Sequence, residues 1–130
     1  MAASKIALVS GGLYGLLAVL LGALGAHALD NTLSGQGEST WEIAWRYHVM
    51  HALVLLIIGL WQRTTGTGPA RFVVYVFVAG VLCFSGSLYL LALFPASIIG
   101  LIFGPITPIG GGLLIFGWAM LVLTAWRTQT

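Results

Sequence analysis

The sequence predicts an all-α fold: an integral membrane four-helix bundle with a Gly/Pro-rich loop between its third and fourth helices. Three observations carry that prediction. The chain of 130 residues is 59% hydrophobic and only 6% charged, whereas soluble domains carry about 25% charged residues. Its mean hydropathy is +1.04, and three acids with five bases cannot coat a water-facing surface. The apolar residues also gather into four runs, each of the length that crosses a hydrocarbon core about 30 Å thick. The expected organisation is one transmembrane domain over residues 1–130, with helices at about 5–29, 40–63, 71–94 and 108–127.

The first run, Ile6 to Leu29, is almost uninterrupted. With Lys5 ahead of it and Ala26-His27-Ala28 near its end it imitates a signal peptide, but a signal core is about 7–15 residues and this run is longer. We therefore expect a retained helix. Asp30 to Thr40 is polar and glycine-containing, a loop. Ser39-Thr40-Trp41-Glu42 then has the spacing of a capping box, and Glu42 and Arg46 stand at i, i+4 in the favourable order. The second run, Ile43 to Trp61, contains Arg46, His48 and His51, with Trp41 and Trp45 at one end and Trp61 at the other in the position of interfacial belts.

Gln62 to Arg71 forms the second loop, broken by Gly66, Gly68 and Pro69. Phe72 to Phe94 is the third run, and Pro108 to Trp126 the fourth. Between them, Pro95 to Gly112 is apolar yet interrupted by prolines and glycines. It is expected to fold back at the interface or dip into it, with its free carbonyls covered by protein. Four spans put Lys5, Arg63, Arg71 and Arg127 on one side and the three acids with Arg46 on the other. The positive-inside rule then places both termini in the cytoplasm, in a multi-pass protein of the cell inner (plasma) membrane.

Composition also excludes several functions. The bases are scattered singly, without the clustered footprint of a nucleic-acid binder, and the lone Cys83 rules out a disulfide framework. No GxSxG or Walker loop is present, and the spans lack the paired broken helices of a secondary transporter. Nothing pairs a nucleophile with a base, so no enzyme is expected.

Small residues recur along the first helix at Gly11, Gly15, Ala18, Gly22 and Gly25, and along the third at Gly80, Ser85, Gly86 and Ser87. That spacing lets helix backbones approach closely. The sharper signal is Tyr47-His-Val-Met-His51, since ionisable residues within a span are functional suspects. His48 and His51 stand i, i+3 and Tyr47 and His51 i, i+4. The imidazoles either hydrogen-bond serines, carbonyls or Glu42 in the bundle, or ligate a metal or haem, though no cluster of metal-ligand spacing accompanies them. His27, near the end of the first helix, falls within reach of Glu42, Arg46, Tyr47 and His48. Tyr14 and Tyr89 are expected to pack with satisfied hydroxyls.

Four blocks together resemble a known family: Gly22-Ala-Leu-Gly-Ala-His-Ala-Leu29, Tyr47-His-Val-Met-His-Ala-Leu53, Phe84-Ser-Gly-Ser-Leu-Tyr-Leu-Leu-Ala-Leu93 and Gly104-Pro-Ile-Thr-Pro-Ile-Gly-Gly111. They look like those of domain of unknown function family 423, related to the animal transmembrane protein 256 group. The resemblance implies a compact four-helix membrane protein with no established activity. It implies that His27, Tyr47, His51, Ser85, Ser87, Tyr89, Pro105, Thr107 and Pro108 occupy characteristic positions, and that a glutamine is common where His48 stands.

The expected function is that of a non-enzymatic structural or accessory membrane component, without a cofactor, packing as a homo-oligomer or beside a membrane partner. Its polar network would comprise His27, Glu42, Arg46, Tyr47, His48, His51, Ser85, Ser87, Tyr89 and Thr107. A binding or transport module for a lipid, quinone or small amphiphile is the first alternative, and a metal or haem protein ligated by His48 or His51 the second.

Overall fold

A computed structural model describes residues 2–29, 31–33 and 35–128 of the chain. Helix α1, Ala2–Ala23, ends in a π-helical turn, Leu24–Ala28. Helix α2 is Gly35–Thr65, and α3 is Arg71–Leu93 with a π-helical segment, Leu82–Gly86, inside it. A short α4, Ile98–Phe103, leads into α5, Ile106–Arg127. The four long helices are long and apolar enough to cross a membrane, and no strand occurs among the described residues. Asp30, one of the three acids, and Ser34 of the first loop lie outside the described residues.

Helices α1 and α2 pack along one another on a seven-residue repeat. The buried face of α2 includes Gly37, Trp41, Ala44, His48, His51, Leu55 and Ile58, alternating steps of four and three. Its counterpart on α1 is Ser4, Ala7, Gly11, Tyr14 and Ala18. A 3.5-residue repeat keeps such a seam facing its partner through a left-handed supercoil. Close approach needs the glycines: a Cβ on Gly11 would lie 2.9 Å from the Ala52 carbonyl oxygen, and one on Gly59 would lie 2.7 Å from Leu8 Cγ. Gly15 and Gly86 of the predicted stripes face open space instead.

Helix α3 buries a different pattern. Val73, Phe77, Val81, Ser85 and Tyr89 are all buried, a strict step of four. On a straight α-helix such a line drifts about 40° around the axis at every step. The wide turn at Leu82–Gly86 takes up part of that drift, so the line stays on the core. Helix α5 crosses α3 at this point, because a Cβ on Gly110 would strike the Phe84 main chain. Further along the same crossing Leu114 packs over Gly80 and Phe77 over Gly117.

Two expected boundaries move. Helix α2 begins at Gly35, ahead of the predicted capping box. The Ser39 and Thr40 hydroxyls donate to the Gln36 carbonyl (2.9 and 2.8 Å), and Glu42 pairs with Arg46 rather than reaching back. The added turn lets Leu29 and Leu33 pack against Trp41 and Tyr89, which outweighs a local cap signal. Helix α5 begins at Ile106 with Pro105 as its N-cap. Pro108 then falls in the first turn, where a missing N–H costs nothing. The link expected to be irregular from Pro95 is thus partly helical, and its outward side is apolar, with Leu101 78% exposed.

Candidate functional site

Five ties join the helices, and the residues singled out by sequence divide among them. His51 is 1% exposed and stands midway along α2. Its Nδ1–H donates to the Tyr47 main-chain oxygen (2.7 Å), and its Nε2 accepts from Trp118 Nε1–H of α5 (3.1 Å). A carbonyl can only accept and an indole N–H can only donate, so the imidazole is held neutral in one tautomer with both nitrogens occupied. His48 turns elsewhere: its Nδ1 pairs with the Tyr89 hydroxyl of α3 (3.2 Å), and its ring meets Tyr14 edge-on. His48 Nε2 is buried without a hydrogen bond.

Both histidines are therefore buried. The reason is the seven-residue repeat, in which steps of three and four both return to the seam. They share no partner, and a metal or haem held by the pair would require breaking one of the two hydrogen bonds that occupy the His51 nitrogens. Among the described residues no three His, Cys, Asp or Glu side chains gather where they could hold a metal ion.

The third tie is a hydroxyl pair. Ser87 Oγ–H donates to the Phe84 carbonyl (2.9 Å), leaving Thr107 Oγ1–H to donate to Ser87 across to α5 (2.7 Å). Ser85, two residues earlier and buried, has a hydroxyl that makes no hydrogen bond. Tyr14 Oη–H donates to the Val78 carbonyl (2.7 Å), joining α1 to α3, as expected of a packing tyrosine. Tyr47 contributes its carbonyl but not its hydroxyl: its ring is exposed and lies on Phe84.

The fifth tie went unread in the sequence. Trp41 and Trp45, assigned to an interfacial belt, reach across to α1. Trp45 Nε1–H donates to the Ala18 carbonyl (2.8 Å) and Trp41 Nε1–H to that of Leu21 (3.2 Å). In a helix the side chain at i+4 leans back over the carbonyl at i. The residues at i+4 here are Gly22 and Gly25, and a Cβ on either would run into the indole nitrogen. Two glycines three apart, facing two tryptophans four apart on an antiparallel helix, were the available signal. For Trp118 the signal was its depth, since an indole N–H at mid-membrane needs an acceptor.

His27 is exposed in the last turn of α1 and hydrogen-bonds none of Glu42, Arg46, Tyr47 and His48. Glu42 and Arg46 form an exposed i, i+4 pair (2.5 Å), worth a few tenths of a kcal/mol, about 0.3–0.5. Beside them a cavity of about 380 Å³ opens between Glu38, Glu42, Trp41 and Trp45. A second, of about 410 Å³, lies over the His51–Trp118 tie between Tyr47, Met50 and Phe84.

Four apolar spans joined by indole, imidazole and hydroxyl ties define a multi-pass helical membrane protein. The chain belongs to the family described as Protein of unknown function (DUF423), whose profile matches residues 21–111. Its relatives include a UPF0382 membrane protein of Staphylococcus saprophyticus, 44% identical over 95% of this chain and 98% of its own. Another, from a bovine strain of Staphylococcus aureus, is 40% identical over 95% and 97%. The UPF0382 membrane protein YwdK of Bacillus subtilis is 37% identical over 93% and 96%. No solved structure matches the chain.

Proposed function

We propose that the protein is a non-catalytic component of the inner (plasma) membrane, with both termini in the cytoplasm, that serves as a structural or accessory subunit beside copies of itself or a membrane partner. One observation supports this most: most of the polar groups between the helices are spent on holding them together. His51, Trp41, Trp45, Tyr14, Ser87 and Thr107 all hydrogen-bond across helix boundaries or to the main chain beside them. None of Ser85, Ser87 and Thr107 hydrogen-bonds a histidine or carboxylate, so no activated nucleophile is built from them. The orientation follows from Lys5, Arg63, Arg71 and Arg127 on one side of the spans.

Purification in mild detergent with light scattering and pulldown tests the subunit role. A strictly monomeric particle that captures no membrane partner overturns it. Fluorescent-protein fusions at the C-terminus test orientation, and a dark fusion in intact cells refutes cytoplasmic termini.

The cavity over His51 and Trp118 favours a second reading, in which the protein holds a lipid, quinone or small amphiphile. Such a guest would meet Tyr47, Met50 and Phe84 rather than the occupied imidazole. Native mass spectrometry of lipid-preserving preparations decides it, and an empty cavity in every preparation refutes it.

A further inference from the structure

A cavity of about 770 Å³ has no part in either reading. It opens at the other end of the α1/α2 pair, between Lys5, Leu8 and Val9 of α1 and Gln62 and Arg63 of α2. The register that seats Gly59 on Leu8 carries the two cations to one opening. Both are exposed, and among the described residues neither has a carboxylate partner. Glu42 pairs with Arg46 toward the opposite end of α2. Two cations facing one cavity repel each other, and an anion between them removes the repulsion.

Local structure holds this arrangement in place. Gly66 takes a left-handed φ of +68°, which ends α2 just beyond Arg63. Gln62 Nε2–H donates to the Pro69 carbonyl (2.6 Å), pinning the following turn back onto α2. Below the cations the rim is apolar, with Leu8 and Val9. It continues onto the outward face of α1 through Leu13, Leu16 and Leu20, all exposed. Charge at one end and a lipid-facing apolar track at the other describe an amphiphile.

We infer that Lys5 and Arg63 form a site for the headgroup of an anionic glycerophospholipid, one whose phosphate carries no compensating ammonium group, with an acyl chain along Val9, Leu13 and Leu16. The site does not depend on the subunit role or on which leaflet faces it. Each cation is expected to contribute about fivefold to affinity, and the pair about thirtyfold.

Native mass spectrometry of the purified full chain, offered equal phosphatidylglycerol and phosphatidylcholine of matched acyl chains, tests the inference. Phosphatidylglycerol should be retained about thirtyfold better, and Lys5→Gln with Arg63→Gln should abolish that preference. Arg71→Gln, at the same end but outside the cavity, should leave it intact, and Lys5→Arg with Arg63→Lys should keep it. Equal retention of the two lipids overturns the site, as does an equal loss in Arg71→Gln or a loss in the charge-preserving variant. Displacement of phosphatidylglycerol by millimolar inorganic phosphate overturns the lipid assignment, because a soluble anion would then be the occupant.

Discussion

The crossing of α5 over α3 makes Gly110→Ala the most diagnostic single change. A Cβ at position 110 would lie 2.7 Å from the Cys83 carbonyl carbon and 2.8 Å from Phe84 Cα. These are main-chain atoms within a helix, so no rotamer can move them aside. Carbon atoms rest at about 3.5–4.0 Å, so α5 must withdraw by about 1 Å, which forfeits roughly a quarter to a half of each contact along the seam. The contacts at risk include Leu114 over Gly80, Phe77 against Gly117 and the Ser87–Thr107 bond. Overpacking of this kind costs about 1–3 kcal/mol, and the lost tie places the expected value near the upper end, about 3. For a chain of this size each kcal/mol lowers Tm by about 3–5 °C, so a fall of about 10 °C is expected. Thermal unfolding in one detergent, followed by intrinsic tryptophan emission, measures it. The control is Gly112→Ala, which adds a methyl to open space and gains helix propensity. A Gly110→Ala protein as stable as the Gly112→Ala control would refute the close crossing.

Three further outcomes follow from the ties. His51→Leu should cost about 1–3 kcal/mol by stranding the Trp118 indole N–H, and a double-mutant cycle with Trp118→Phe should give a coupling of about 0.6–1.7 kcal/mol; zero coupling would exclude the bond. Gly25→Ala should push the Trp41 indole off the Leu21 carbonyl, so that among the five tryptophans the Trp41 N–H loses its protection from hydrogen exchange by NMR. His48→Gln should stay within about 1 kcal/mol of the parent, since an amide can still bond the Tyr89 hydroxyl, while His48→Leu should cost about 1–3 kcal/mol; denaturant midpoints of the two variants distinguish them.

The spans were legible because a bilayer demands length and apolarity, and both are visible without knowing any contact. Tyr14 and Tyr89 were likewise readable as packing residues, since a buried hydroxyl must find a partner. Positions decided by a neighbouring helix were not. Ser39 and Glu42 carry a capping pattern, but Leu29 and Leu33 gain more by packing on Trp41, and the helix begins earlier. His48 and His51 were both singled out, but that steps of three and four return both to the seam follows from the seven-residue repeat, which only the packed helix pair reveals. The hydroxyl pair of Ser87 and Thr107 brought together two residues already singled out. Trp118 was missed because tryptophan in a membrane sequence is read first as an interfacial residue. Tyr47 and His27 sit on the outside because each polar tip reaches beyond the packed seam.

The π-helical segment Leu82–Gly86 acts on α3 as a one-residue insertion acts on a regular helix. Excising one residue there should let the helix close into ordinary turns while leaving everything after it facing nearly the same way, because the wide turn already absorbs about the 100° that one residue adds. Closing the wide turn into ordinary helix without losing a residue would instead swing Tyr89 off His48 and Ser87 off Thr107, although every residue is unchanged. A relative that lacks one residue within this segment is thus expected to keep the same core, whereas a one-residue gap elsewhere in the helix would mark a chain with a different one.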